Sequence, residues 1–451
     1  MERMNYNNQS DLVYELEEKP PFLESLLAAI QHLLASFVAI VSPTLVIGGI
    51  LGLGKEIPYL ISMALIASGL GTFIQAYRPF GIGAGMICVQ GTSFTFLAVI
   101  LSAGFLVKGN GGGTDEMIAL IVTICFFGSF VQIGLSQILP RIRKVITPLV
   151  TGIVITSLGI SLIKIGMTDL AGGSDAADFG EPGNLALGLL VVVIIIIMNN
   201  INNAWIRLSS IMIGLLTGVG AAILMGKMSL SELAVSGAIA VPQPFKYGFD
   251  FDLMLFIPLA FLFVISSVET TGDITANCII SRQPIEGSSY MQRIKGGVLG
   301  DGVSSMIAAL LNSFPNTTFS QNTGVIQLTG VASRHVGQYV AIILIGLGVF
   351  QGLGEIFQQI PKPVLGGAVL VMFGTVAATG IKILASVDLD RRKIMTIAIS
   401  LGLGLGVSMV PEALAKTPEL LQNIFYSAPA TAGLSAMLMS VLLPAPNESG
   451  S

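Results

Sequence analysis

From residue 22 onward the chain alternates long apolar runs with short breaks of polar, glycine or proline residues. A membrane-crossing helix needs about 20 mainly apolar residues. By that rule fourteen segments qualify, beginning near Phe22, Tyr59, Gly81, Met117, Ile146, Asn184, Leu208, Phe251, Gly296, Thr317, Tyr339, Pro363, Ile394 and Ala428. The pattern predicts an all-α polytopic membrane protein with 14 transmembrane segments. Residues 1–21 are polar and acidic, without the apolar stretch of a cleavable signal, and read as a cytoplasmic N-terminal tail. With that tail inside and fourteen spans, every arginine falls in an inner segment, the asymmetry that sets orientation. Both termini are then expected in the cytoplasm. Among the outer connections, 171–183 is an acidic glycine-rich loop, and 411–426 is mildly amphipathic and suited to the interface.

Two segments carry too much polarity for ordinary spans. Residues 84–96 read AGMICVQGTSFTF and residues 315–327 read PNTTFSQNTGVIQ. Each opens with strand-like residues, reaches a glutamine (Gln90, Gln321), and continues through small polar residues into an apolar stretch. The Gly91-Thr92-Ser93 and Asn322-Thr323-Gly324 stretches have helix-start chemistry, because their side-chain oxygens can cap free N–H groups. Irregular polar backbone at membrane depth survives only where protein buries it or where it lines a cavity. Gln90 and Gln321 lie about half the chain apart, so the two breaks occupy matching places in two halves of seven spans. An odd number of spans turns the second half over. The expectation is a 7+7 inverted repeat whose segments 3 and 10 hold short strands and half-helices, with the substrate site between them.

Composition narrows the chemistry. Hydrophobic residues make up 53% of the 451-residue chain and charged residues only 11%, against about 25% in soluble proteins. A net charge of −4 gives no footprint for nucleic acid. No phosphate-binding fingerprint supports ATP-driven transport, and no His/Cys cluster supports a metal or another cofactor. Cys88, Cys125 and Cys278 sit in apolar runs and read as small hydrophobes. An enzyme reading finds no support.

The few charges inside the apolar runs are therefore informative. Glu269 and Asp273 are four residues apart in FLFVISSVETTGDITAN and share one helix face; Asp301 opens DGVSSMIAALL. A carboxylate at a span's centre costs about 2.5–3.5 kcal/mol, and Glu269 is the deepest of the three. It can carry a proton and accept hydrogen bonds from ligand N–H groups. Asp273 and Asp301 lie nearer the inner ends, where a solvated or structural carboxylate is an equal alternative. The Gln321 amide both donates and accepts, which suits the edge of a neutral heterocycle, and Phe94 can cover a flat face. His32, after Gln31 in the first span, is as well explained by a structural hydrogen bond as by ligand contact.

The stretch QNTGVIQLTGVASR resembles the signature motif of the nucleobase–ascorbate transporter family: Gln, Glu or Pro, then Asn, any residue, Gly, four free positions and Thr. Gln321, Asn322, Gly324 and Thr329 fill it without departure. The Gln31-His32 pair, the ETTGD stretch at Glu269 and the Asp-Gly at Asp301 resemble the same family in order and spacing, most closely its bacterial permeases for xanthine or uric acid. The resemblance implies a core domain over 22–145 and 251–360 and a gate domain over 146–250 and 361–445. It implies substrate contacts at Glu269 and Gln321, with backbone contacts at Phe94 and Ser320 and transport roles for Asp301 and Asn322. It also implies a homodimeric proton symporter of the bacterial inner membrane. Ser93 stands where some xanthine-selective relatives carry Asn, and its smaller side chain leaves room for the extra oxo group of uric acid. The binding candidates are thus Glu269, Gln321, Phe94, Ser93, Ser320, Asn322, Gln90 and His32, and the proton-coupling candidates Glu269, Asp301 and Asp273. A sulfate-type anion transporter shares this architecture and is the main rival; a channel is a weaker one.

Overall fold

A computed structural model describes residues 12–142, 147–174, 176–228 and 239–443. Arg143, Lys144, the expected domain boundary after residue 145, and the first eleven residues lie outside that range. In chain order the helices are α1 (Phe22–Leu51), α2 (Ile57–Tyr77), α3 (Leu97–Gly109), α4 (Thr114–Ile142), α5 (Pro148–Leu170), α6 (Pro182–Asn199), α7 (Ala204–Leu208), α8 (Ser210–Leu224) and α9 (Leu253–Ile280). They continue as α10 (Gly287–Leu310), α11 (Gln321–Thr329), α12 (Arg334–Val349), α13 (Gln351–Gln359), α14 (Lys362–Ala385), α15 (Arg391–Met409), α16 (Glu419–Phe425) and α17 (Ala428–Leu442). Eight helical stretches among the described residues are long and apolar enough to cross a membrane, and shorter apolar helices run over Phe94–Gly109, Ser210–Leu224 and Arg334–Val349. The amphipathic outer stretch is a 3-10 turn (Pro411–Leu414) followed by α16.

Local chemistry sets the helix ends. Asp252 begins α9 by accepting from the Leu255 N–H, and Asp390 begins α15 by accepting from the Lys393 N–H. α1 stops at Gly52, whose left-handed backbone (φ 74°) turns its N–H back to the Gly48 carbonyl. The chain between α8 and α9 does not hang free. Ala240 N–H donates to Val349 O, Lys246 pairs with Glu56 at 2.8 Å, and the Phe245 and Phe249 rings pack edge-on against Phe126 and Phe127. Residues 239–250, expected within the gate domain, are thereby fastened to the turn ahead of α2, to α4 and to α12 of the expected core.

α5 packs closely on α14. A Cβ on Gly159 would lie 2.3 Å from Ala377 N, one on Gly366 2.1 Å from Leu170 N, and one on Gly380 2.4 Å from Thr156 N. Backbone meets backbone along this contact, and only glycine permits it. Small residues give membrane helices that close approach, which replaces the hydrophobic drive absent in lipid. Gly159→Val should therefore cost about 1–3 kcal/mol by overpacking against atoms that cannot yield. Its detergent-solubilised protein should melt several degrees below the parent; an unchanged melting curve would show that the helices can separate without penalty.

The two polar segments break as the sequence suggested, with one displacement. Gln90–Thr92 forms β1 and Asn316–Thr318 forms β2, antiparallel, with Gln90 opposite Thr318, Gly91 opposite Thr317 and Thr92 opposite Asn316. After β1, Ser93 Oγ accepts from the Thr95 N–H and starts a 3-10 turn (Phe94–Phe96) that leads into α3. After β2, α11 starts at Gln321 itself, so Asn322-Thr323-Gly324 lies inside the helix and not at its cap. The Asn322 side chain is taken up elsewhere.

Candidate functional site

Where the β1–β2 pair gives way to its two half-helices, the structure holds a cavity. Thr92, Ser93 and Phe94 line it from the first break, and Thr317, Thr318, Phe319, Ser320 and Gln321 from the second. Glu269 and Asp273 face it from α9, as their four-residue spacing predicts. The α5 and α14 side is mostly apolar: Ile155, Leu158 and Leu162 of α5, with Met372, Phe373 and Val376 of α14 and Thr379 its one polar member among the described residues. Among the described residues no lysine or arginine lines it.

Glu269 is half-buried and its Oε2 accepts from Thr95 Oγ1 at 3.1 Å, a tether between α9 and the first half-helix. Phe94 packs edge-on against Phe373, with ring centroids 4.8 Å apart at 85°. The ring is therefore held between the first half-helix and α14, standing at the cavity wall. Of the expected binding residues, Glu269, Gln321, Phe94, Ser93 and Ser320 thus reach one cavity.

Three others do not. Gln90 is fully buried behind the strands, where its Nε2 donates to Asp301 Oδ1 (2.6 Å) and Thr318 Oγ1 (2.8 Å). Its side-chain amide is taken up by that network and is not part of the cavity lining. His32 and Asn322 are also buried and bond each other: Asn322 Nδ2 donates to His32 Nδ1 (2.9 Å) and to the His32 carbonyl (3.3 Å). Because a single –NH₂ serves both acceptors, Nδ1 is the unprotonated ring nitrogen. These residues hold α11 to α1; they are one layer behind the cavity.

Of the readings left open for Asp301 the solvated one falls, since the residue is fully buried within α10. Its carboxylate accepts from Gln75 Nε2 (2.7 Å), Gln90 Nε2, Thr318 Oγ1 (2.9 Å), the Thr318 N–H (3.3 Å) and, by a short bond, Thr270 Oγ1. α2, β1, β2, α9 and α10 are all tied at this one group. Asp273 is likewise buried, on the cavity side.

The sequence reading missed Gln75, whose amide satisfies three partners: Nε2 also donates to Gly297 O (2.9 Å), and Oε1 accepts from the Ala84 N–H (2.9 Å). It also missed the α5 and α14 wall. Gln75 was visible as a lone polar residue in an apolar run, but the wall consists of ordinary span residues and left no signal.

A model of a permease family matches residues 23–413. The xanthine permease XanQ of Escherichia coli is 43% identical over 439 residues, covering 96% of this chain and 94% of that protein. XanP, a second xanthine permease of E. coli, is 43% identical over 440 residues, covering 96% and 95%. The nucleobase transporter PlUacP of Paenibacillus larvae is 32% identical over 415 residues, covering 91% and 93%. Among solved structures, the transmembrane domain of the cyanobacterial bicarbonate transporter BicA superposes with a TM-score of 0.57 at 15% identity, over 95% of this chain and 99% of that one. The murine Slc26a9 anion transporter in its inward-facing state superposes with a TM-score of 0.61 at 13% identity, over 95% and 69%. At such identities the two structures establish a shared fold and nothing about the substrate.

Proposed function

The chain belongs to the permease family of nucleobase–ascorbate transporters, and from that membership we propose that it takes up a purine nucleobase, xanthine or uric acid, together with a proton. It is an integral membrane transporter rather than an enzyme. One observation carries the purine reading: a cavity that pairs a carboxylate (Glu269) with an amide (Gln321) beside a mostly apolar wall and, among the described residues, holds no basic side chain. Such a lining suits a flat neutral ring with N–H donors on one edge and carbonyls on another. An anion would face two carboxylates there, which argues against the sulfate-type alternative.

In this reading Glu269 accepts the purine N–H groups, and the Gln321 side-chain amide, at the positive end of α11, receives its carbonyls. Phe94 stands at the ring's face. Glu269 carries the coupled proton, because among the three carboxylates it both meets the substrate and has a neutral internal donor in Thr95. Asp301 organises the site behind it, and Asp273 tunes the charge beside it. Movement follows from the seven-plus-seven arrangement: a core of 22–145 and 251–360, joined by the fastened stretch 239–250, shifts against a gate built around the α5–α14 pair. The protein works in the bacterial inner membrane as a homodimer with both termini cytoplasmic.

Competition tests the substrate. Uptake of labelled xanthine in cells lacking their own purine permeases should be blocked by excess xanthine and by uric acid, and not by uracil. Ser93→Asn should weaken inhibition by uric acid about 3- to 30-fold while leaving xanthine, since crowding one substituent in a pocket is worth a few kcal/mol at most. Inhibition by uracil alone would overturn the purine reading.

A further inference from the structure

The residues ahead of α1, expected only to be a tail, are built into the site's supports. The Val13 and Tyr14 N–H groups both donate to Gly330 O (2.8 and 3.2 Å), Ala332 N–H donates to Tyr14 O (2.9 Å), and Arg334 N–H donates to Leu16 O (3.0 Å). Residues 13–16 thus run parallel to 330–334, with Tyr14 beside Val331. Ser333 Oγ donates to Glu18 O (2.5 Å), and Arg334 pairs with Glu17 at 2.9 Å. At its other side the segment is tied to α1, where Tyr14 OH donates to Glu24 (2.6 Å). Leu16, 2% exposed, fills an apolar cluster with Met86, Cys88, Ile274 and Cys278, from the approach to β1 and from α9.

The place of attachment matters. Gly330, in a left-handed conformation (φ 70°), is the residue that ends α11. α11 has nine residues, too few to hold a helix by its own cooperativity. Its start is fixed by β2 and by the Asn322–His32 bond to α1, and its end by this segment. A rod of that length transmits a tilt at one end to the other. Gln321 is at the other end.

We propose that residues 13–18 are a positioning strap for the substrate half-helix: by holding Gly330–Arg334 to α1 and to the Leu16 pocket, they set where Gln321 stands in the cavity. The proposal rests on the substrate reading above only for the choice of assay. Loosening the strap misplaces Gln321 and weakens binding before it slows translocation. Two variants loosen it independently. Leu16→Ser empties the anchor, and Val13→Pro deletes one N–H donor to Gly330 while leaving Leu16 in place.

Both should raise the KM for xanthine about two- to tenfold, the worth of one hydrogen bond, with kcat per transporter molecule changed less. Leu16→Met should retain the parent's KM. A second readout is independent of substrate identity. A cysteine introduced by Ser320→Cys should be alkylated by a maleimide faster in either strap variant than in the otherwise parental chain. Unchanged KM and unchanged alkylation in both variants, at equal abundance, overturn the strap. So does a fall in uptake that only follows abundance, with KM and alkylation unmoved. If the parent takes up no xanthine, the substrate reading fails, and alkylation alone decides the strap.

Discussion

Asp301→Ala is expected to deplete the membrane of folded transporter, not merely to slow it. The carboxylate is the common acceptor for Gln75, Gln90, Thr270 and Thr318, which come from four different elements. Some of these donors keep a second partner: Gln75 has Gly297 O, and Thr270 has Ser266 O at 2.9 Å. The Thr318 N–H and the second N–H of Gln90 or Gln75 lose theirs in a fully buried place. Each such group costs about 1–3 kcal/mol, and the void adds more, against a total stability of about 5–15 kcal/mol. Abundance in membranes should fall several-fold, with early aggregation on size-exclusion chromatography. Asp301→Asn should fold better than Asp301→Ala, because one acceptor oxygen remains. Its new –NH₂, however, faces donors, so the strands are misheld and uptake stays far below the parent's. Parental abundance for Asp301→Ala would mean that the strand pair holds itself together without the hub.

Glu269→Gln should fold and fail to transport. The replacement keeps the volume, and its amide oxygen can still accept from Thr95. What it loses is the charge: hydrogen bonds to an ionised group are worth about 1.5–3 kcal/mol, so two such bonds to a purine edge correspond to at least about 100-fold in binding. It also cannot gain or release a proton. Initial uptake at low substrate should drop by about that factor at normal abundance, and accumulation against a gradient should vanish. Gln321→Asn, which withdraws the amide by one carbon, should show a milder loss seen chiefly in KM. Near-parental accumulation by Glu269→Gln would remove Glu269 from the mechanism.

Much of this was legible in the chain because lipid simplifies the physical rules. Polarity inside an apolar run is costly enough to be meaningful, so the breaks at 84–96 and 315–327 and the carboxylates Glu269 and Asp301 stood out before any coordinates. Four-residue spacing placed Glu269 and Asp273 on one face, and one cavity receives both. Side-chain direction was harder. Gln90 and Gln321 look equivalent in sequence, yet Gln90 is taken up by Asp301 and Thr318 while Gln321, at a helix start, lines the cavity. Burial was harder to read for Asp301, because helix ends are soft in sequence and α10 extends well to either side of it. The strap at 13–18 could not be seen at all: its recognition is by backbone groups, which every residue carries.

The central claim is that a purine binds between Glu269 and Gln321. Equilibrium binding of labelled xanthine to the purified protein tests it most directly, because it needs neither a gradient nor translocation. The account predicts saturable binding to the parent, a loss of at least about 30-fold in affinity in Glu269→Gln and in Gln321→Ala, and binding within about threefold of the parent in Lys227→Ala, whose ammonium pairs with Asp178 and does not line the cavity. Parental affinity in both site variants, or no saturable binding to a well-folded parent, would contradict it.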